Sequence, residues 1–123
     1  MLTNTEMDTG SHFALLLIGQ PTLRRRLKLA VLAALDQRIS TRFAITGMDP
    51  TDTAAYIRHH LKLAGRSDPL FSDDAITAIH QASRGYPRAV NNLAVASLIA
   101  TYAADKAIVD LSAAQSAITE HSE

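Results

Sequence analysis

The stretch with the most chemistry in it is Ser83-Arg84-Gly85-Tyr86-Pro87-Arg88-Ala89-Val90-Asn91-Asn92. It reads as a helix stop followed at once by a helix start. Gly85 suits the left-handed residue that closes one helix, and Pro87 suits the first turn of the next. Arg88 then sits in a first turn, where free backbone N–H groups already favour an anion. A cation gains nothing from the helix dipole there. Arg88 is therefore either a solvated side chain at a turn or a group held at a fixed angle to meet a phosphate.

Other candidates are scattered. Gln20 follows the apolar run Phe13-Ala14-Leu15-Leu16-Leu17-Ile18 and Gly19, and Pro21 fixes the exit. If that run is a strand, Gln20 stands past its C-terminal end, where open α/β sheets bind ligands. Arg38 comes before a second run, Ile39 to Thr46, and Arg42 is its rival four residues on. At the rim of a sheet such an arginine can reach into a neighbouring subunit, and the plainer reading is a cation on a helix C-terminus. Arg24-Arg25-Arg26 could touch a nucleic-acid backbone, but no aromatics interleave it, and a solvated helix face fits better. His59 and His60 diverge by about 100° on a helix and cannot close on one ion. His12, His80 and His121 have no companions in sequence, and Asp73-Asp74 reads as a pair of first-turn acids. No metal site is expected.

Composition sets limits on function. The 123 residues carry 12 Lys+Arg and 12 Asp+Glu, so no global field calls for nucleic acid or an anionic membrane. The absence of cysteine removes disulfides, zinc–thiolate sites and cysteine nucleophiles. With 47% apolar residues, few aromatics and no tryptophan, packed helices are favoured over a β-sandwich. The first residues have neither the charge nor the apolar core of a signal peptide, and no apolar run is long enough to span a bilayer. A cytoplasmic location and no membrane insertion are expected.

The elements that must position these residues follow from periodicity. Phe13–Ile18 reads as a strand buried on both faces, Thr22 to about Leu35 as a helix, and Ile39–Thr46 as a second strand, a right-handed βαβ unit. A sheet of two strands is marginal, so other strands must complete it, from other chains or from a longer polypeptide. The rest is helical. Asp49-Pro50-Thr51-Asp52 starts a helix that Gly65 closes, with Ala54, Ile57, Leu61 and Ala64 inward. Ser72 caps the next, with Phe71 stapled to Ile76 and with Ile76, Ile79 and Ser83 inward. A third runs from Pro87 to about Ala104, with Val90, Leu93, Ser97 (or Ala94), Leu98 and Thr101 inward, and Ser112-Ala113-Ala114-Gln115 reads as the capping box of a last one ending near His121. The expected fold is mainly α with a small α/β portion. The expected division is 1–48 for the partial α/β core and 49–123 for the helical domain.

Leu-Leu-Leu-Ile-Gly-Gln-Pro-Thr-Leu-Arg (15–24), Leu-Asp-Gln-Arg-Ile (35–39) and Gly-Tyr-Pro-Arg-Ala-Val-Asn-Asn-Leu (85–93), in this order and spacing, resemble the C-terminal half of an AAA+ ATPase. The branch they resemble holds the general-secretion-type ATPases and the ATP-binding helper proteins of transposons. The resemblance implies two parallel strands from the end of an AAA+ core followed by a helical lid. It implies sensor 1 at Gln20, an arginine finger acting in trans at Arg38, and sensor 2 at Arg88 with Pro87 beside it. It also implies ATP and Mg, a homo-oligomer or an edge-paired dimer, and a transposase or DNA as partner. However, no Gly-x-x-x-x-Gly-Lys-Ser/Thr occurs, and no apolar run ends in Asp-Glu to hold magnesium. The resemblance covers the sensing half without the half that binds ATP, as in a truncated gene, a mis-called start or a deliberate excision. ATP and Mg would bind only with the missing core, and the chain by itself is expected not to hydrolyse ATP. The alternative is a non-enzymatic helical module that binds protein or DNA. A hydrolase built from scattered Ser, His and Asp has no support in the spacing.

Overall fold

The computed structural model describes residues 13–122. Among them are six α-helices and one 3-10 turn: α1 Pro21–Leu27, the turn Ala30–Leu32, α2 Ala33–Arg38, α3 Pro50–Leu63, α4 Asp73–Ser83, α5 Pro87–Ala103 and α6 Leu111–Ser122. The chain divides into two compact units, one ending at Phe43 and one from Ala44 to Glu123.

The mainly α expectation holds, and the small α/β portion is not seen among the described residues. Among the described residues neither Phe13–Ile18 nor Ile39–Thr46 pairs as a strand. Their side chains stand in solvent, with Leu16 79% and Ile18 82% exposed in one run and Phe43 86% exposed in the other. The physical reason is the one that made a two-stranded sheet doubtful. A strand apolar on both faces is stabilised by neighbours, and the described residues of the first unit supply none.

The crossover helix expected over Thr22–Leu35 is also interrupted. Lys28 ends α1, and Leu29 is extended at φ −65° and ψ 143° before the 3-10 turn. No glycine or proline forces this break. A helix owes most of its stability to packing an apolar face, and no residue of α1, the turn or α2 is buried. Arg42 folds back on α2, donating to the Asp36 carbonyl at 2.7 Å and to its carboxylate at 2.9 Å.

The second unit has its own core. Ile57, Phe71, Ile76, Ile79, Val90, Leu93 and Val109 are buried with the small residues Ala75, Ala113 and Ala114. The cap chemistry read from sequence is in place for α3 and α4. Asp49 accepts from the Asp52 amide at 2.7 Å, and Ser72 accepts from the Ala75 amide at 3.2 Å. Gly65, at φ 90°, closes α3, with the Arg66 amide bonded to the Leu61 carbonyl at 2.8 Å. The inward positions Ile57, Ile76, Ile79, Ser83, Val90, Leu93, Ser97 and Thr101 are buried, while Ala64, at the far end of α3, is exposed and Thr53, in its first turn, is buried.

Helix α6 begins one cap earlier than its sequence suggests. Asp110, not Ser112, accepts from the Ala113 amide at 2.9 Å. The choice is made by the preceding segment, where Phe71 and Val109 form an isolated parallel bridge. The Ser72 amide donates to the Val109 carbonyl at 2.9 Å, and the Val109 amide to the Leu70 carbonyl at 2.8 Å. With Val109 buried and anchored, Asp110 is the next residue free to cap. Lys106 reaches the same carboxylate at 2.7 Å. This hydrogen bond, followed by that of the Ala113 amide, holds the Asp110 carboxyl below its ordinary range.

Candidate functional site

Arg88 lies in the first turn of α5, as its sequence context predicts. It is exposed, and among the described residues it makes no ion pair. The turn that presents it is tightly determined. Ser83 is 3% exposed, and its hydroxyl donates to the His80 carbonyl and accepts from the Gly85 amide, both at 3.2 Å. Two successive residues are left-handed, Arg84 at φ 54° and Gly85 at φ 74°. The sequence places this conformation at Gly85 alone. Arg84 shares it because the chain must reverse before Pro87 can begin the next helix.

One turn further along α5, Asn91 accepts a hydrogen bond from the Tyr56 hydroxyl at 3.1 Å and so links α5 to α3. Tyr56 carries no motif of its own and could not be singled out in sequence. His80 does have a companion. Buried Thr53 donates its hydroxyl proton to the Asp49 carbonyl at 2.9 Å, which leaves its oxygen to accept from His80 Nδ1 at 2.8 Å. Since a hydroxyl has one proton, this geometry assigns the ring proton to Nδ1. The contact fastens α4 to the first turn of α3.

Gln20 and Arg38 belong to the first unit. Gln20 precedes α1 with φ −70° and ψ 167°, and its backbone carbonyl accepts from the Leu23 amide at 2.8 Å, while its side chain caps nothing. Arg38 is the last residue of α2 and is exposed. Pro87 is the first residue of α5 and withholds no N–H that the helix needs. Arg24, Arg25 and Arg26 are exposed in the last turn of α1, where the helix dipole favours cations. His59 and His60 sit edge to face, and among the described residues no group of His, Asp and Glu could hold a metal. His12 lies outside the described residues. No described helix is long and apolar enough to cross a membrane.

One ion pair has a pH signature. Arg66 holds Asp68 through two hydrogen bonds, at 2.8 and 2.7 Å, in the loop between α3 and α4. The Arg66 hydrogen bond, then that of Asp68's own backbone, lowers the Asp68 carboxyl to about 2. A depressed carboxyl contributes stability above its unfolded pKa and loses it as pH falls through the folded one. The window is thus from about pH 4 down to about 2. Both side chains are about half exposed, so water screens the pair. Carboxyl carbon shifts followed by NMR are expected to show Asp68 titrating near 2. The unfolding temperature of Asp68→Asn at pH 7 is expected to stay near that of the parent.

Comparison with known proteins adds one relation. No protein-family profile matches the chain, and no solved structure does. Over 103 residues the chain is 37% identical to General secretion pathway protein A of Aeromonas hydrophila. The alignment takes in 84% of this chain and 19% of that protein, so the chain spans about a fifth of the length of the relative it matches. By sequence, most of this chain is related to one segment of a general secretion pathway A protein.

Proposed function

We propose that the chain is the nucleotide-sensing and subunit-coupling part of an AAA+ ATPase of the secretion type or of a transposition helper. It works with a phosphate-binding half that its own residues do not supply. The observation that carries this reading is the relation to General secretion pathway protein A across 84% of the chain. The three sequence motifs agree with it in order and spacing. In this reading Arg88, set by Pro87, reads the nucleotide from the lid, Arg38 completes a neighbour's site in trans, and Gln20 orients the attacking water. The guanidinium of Arg42, the rival read from the sequence, is bonded to Asp36. ATP and Mg join only when the missing half is present, in the cytoplasm.

The reading is tested by titrating ATP and Mg into the purified chain in a calorimeter, beside Arg88→Ala. No heat of binding and no hydrolysis are expected from either protein. Hydrolysis by the pure chain that depends on Arg88 would overturn it.

The exposed runs of the first unit support the same reading, since they are what the end of an unfinished sheet would present. We propose that they are covered by further strands, in a homo-oligomer or an edge-paired dimer. The isolated chain is expected to self-associate in sedimentation, and the pair Leu16→Lys with Ile18→Lys to shift it towards monomer. A parent chain that sediments as a monomer at high concentration refutes this.

The second reading, a helical module that binds protein or DNA without catalysis, is favoured by one finding. Among the described residues, the buried hydrophobic core is made by the second unit. A transposase or a DNA duplex that binds the chain with no dependence on Arg38 or Arg88 would favour it.

A further inference from the structure

Two stretches of backbone meet beside Arg88 with no side chain between them. The Met48 amide donates to the Gly85 carbonyl at 2.9 Å. A Cβ on Gly47 would fall onto the Arg84 carbonyl oxygen and come within 3.0 Å of its carbon and 3.1 Å of the Gly85 carbonyl carbon. A Cβ on Gly85 would fall onto the Met48 carbonyl oxygen, 2.7 Å from the Met48 nitrogen. The residues that follow each stretch start helices, α3 after Asp49 and α5 after Tyr86.

From this geometry we propose that Gly47 is a positioning residue for Arg88. The clasp between Gly47-Met48 and Arg84-Gly85 joins the chain entering the second unit to the turn that presents Arg88. The role rests on the reading of Arg88 as a nucleotide sensor. Gly47 is required for space and not for its own dihedral angle, which is why nothing in its local sequence marks it. The Arg84 carbonyl cannot easily yield, since Arg84 is already left-handed and Ser83 is pinned to α4. The Tyr56–Asn91 hydrogen bond holds the two helices again a turn further on. Tilting the incoming segment therefore carries the Arg88 turn with it.

The cysteine-free chain suits a direct test. Spin labels at Ile45→Cys and Asn92→Cys, both exposed positions, report the joint by pulsed EPR. A narrow distance distribution is expected in the parent and a broad or displaced one in Gly47→Ala, with helical content kept. Gly65→Ala is the control: its φ of 90° strains alanine, but nothing lies within 4 Å, so it destabilises without touching the joint. An unchanged distribution in Gly47→Ala overturns the proposal. Should that variant not fold, the Met48 amide of the parent decides, since exchange at the rate of an unstructured peptide overturns it too.

Positioning, as opposed to scaffolding, is read in a chain supplied with a phosphate-binding half. There Gly47→Ala is expected to weaken nucleotide binding by roughly 2–30-fold, and to have little further effect in Arg88→Ala. Additive effects of the two changes overturn the positioning role. If Arg88→Ala itself changes nothing, the sensor reading has failed, and the EPR result still judges the clasp.

Discussion

Ile79→Ala is expected to cost the second unit about 3 kcal/mol, which lowers its unfolding temperature by roughly 12–24 °C for a domain of this size. Ile79 is the largest side chain with no exposure at all, and α4, which carries it, packs against α3, α5 and α6. The truncation loses the transfer free energy of the removed methyl and methylene groups and leaves a cavity that three surrounding helices cannot all close. A domain of this kind is stable by only about 5–15 kcal/mol, so the loss is a large share of the total. Ile99 supplies the contrast. It lies on α5 at 64% exposure, and Ile99→Ala is expected to change stability by less than about 0.5 kcal/mol. Thermal melts followed by circular dichroism at 222 nm compare the two. Equal losses would show that the burial assigned to Ile79 is wrong.

Arg38→Ala is expected to lower ATP hydrolysis by roughly 10³-fold or more once the chain is joined to a phosphate-binding half. The size follows from the charge that builds on the transferring phosphoryl group. A guanidinium brought in from outside the site meets that charge in the transition state far more than in the ground state. The loss should accordingly appear in kcat, with nucleotide affinity little changed. Arg88→Ala is expected to do the reverse, weakening nucleotide binding by about 10–100-fold through the loss of a charge-assisted hydrogen bond. In the proposed role Arg38 acts in trans, so Arg38→Ala subunits are expected to regain activity when mixed with subunits that keep Arg38 but have a disabled phosphate loop. Failure of that rescue, or an Arg42→Ala variant that carries the loss instead, would remove Arg38 from the role. Arg42 is bonded to the carbonyl and the carboxylate of Asp36, and Arg42→Ala is expected to leave the rate near that of the parent.

The amino-acid sequence by itself determined the local chemistry of the helices in the second unit. Asp49 before Pro50, Ser72 before two acids, and Gly85 ahead of Pro87 act over three or four residues, so each end is legible without knowing the fold. Period determined most of the inner faces, from Ile57 on α3 to Thr101 on α5. It also determined that Arg88 stands in a first turn and that no phosphate loop is present. The tertiary structure decided what depends on residues far apart in the chain. Asp110 caps α6 because Val109 is anchored to Phe71, and Thr53 is buried where its hydroxyl meets His80 of α4. Gly47 matters only because Arg84 and Gly85, nearly forty residues on, press against it. The two expected strands fail for the same reason taken the other way. A helix satisfies its own backbone within the segment, whereas a strand is completed by its neighbours, and the described residues of the first unit hold none for Phe13–Ile18.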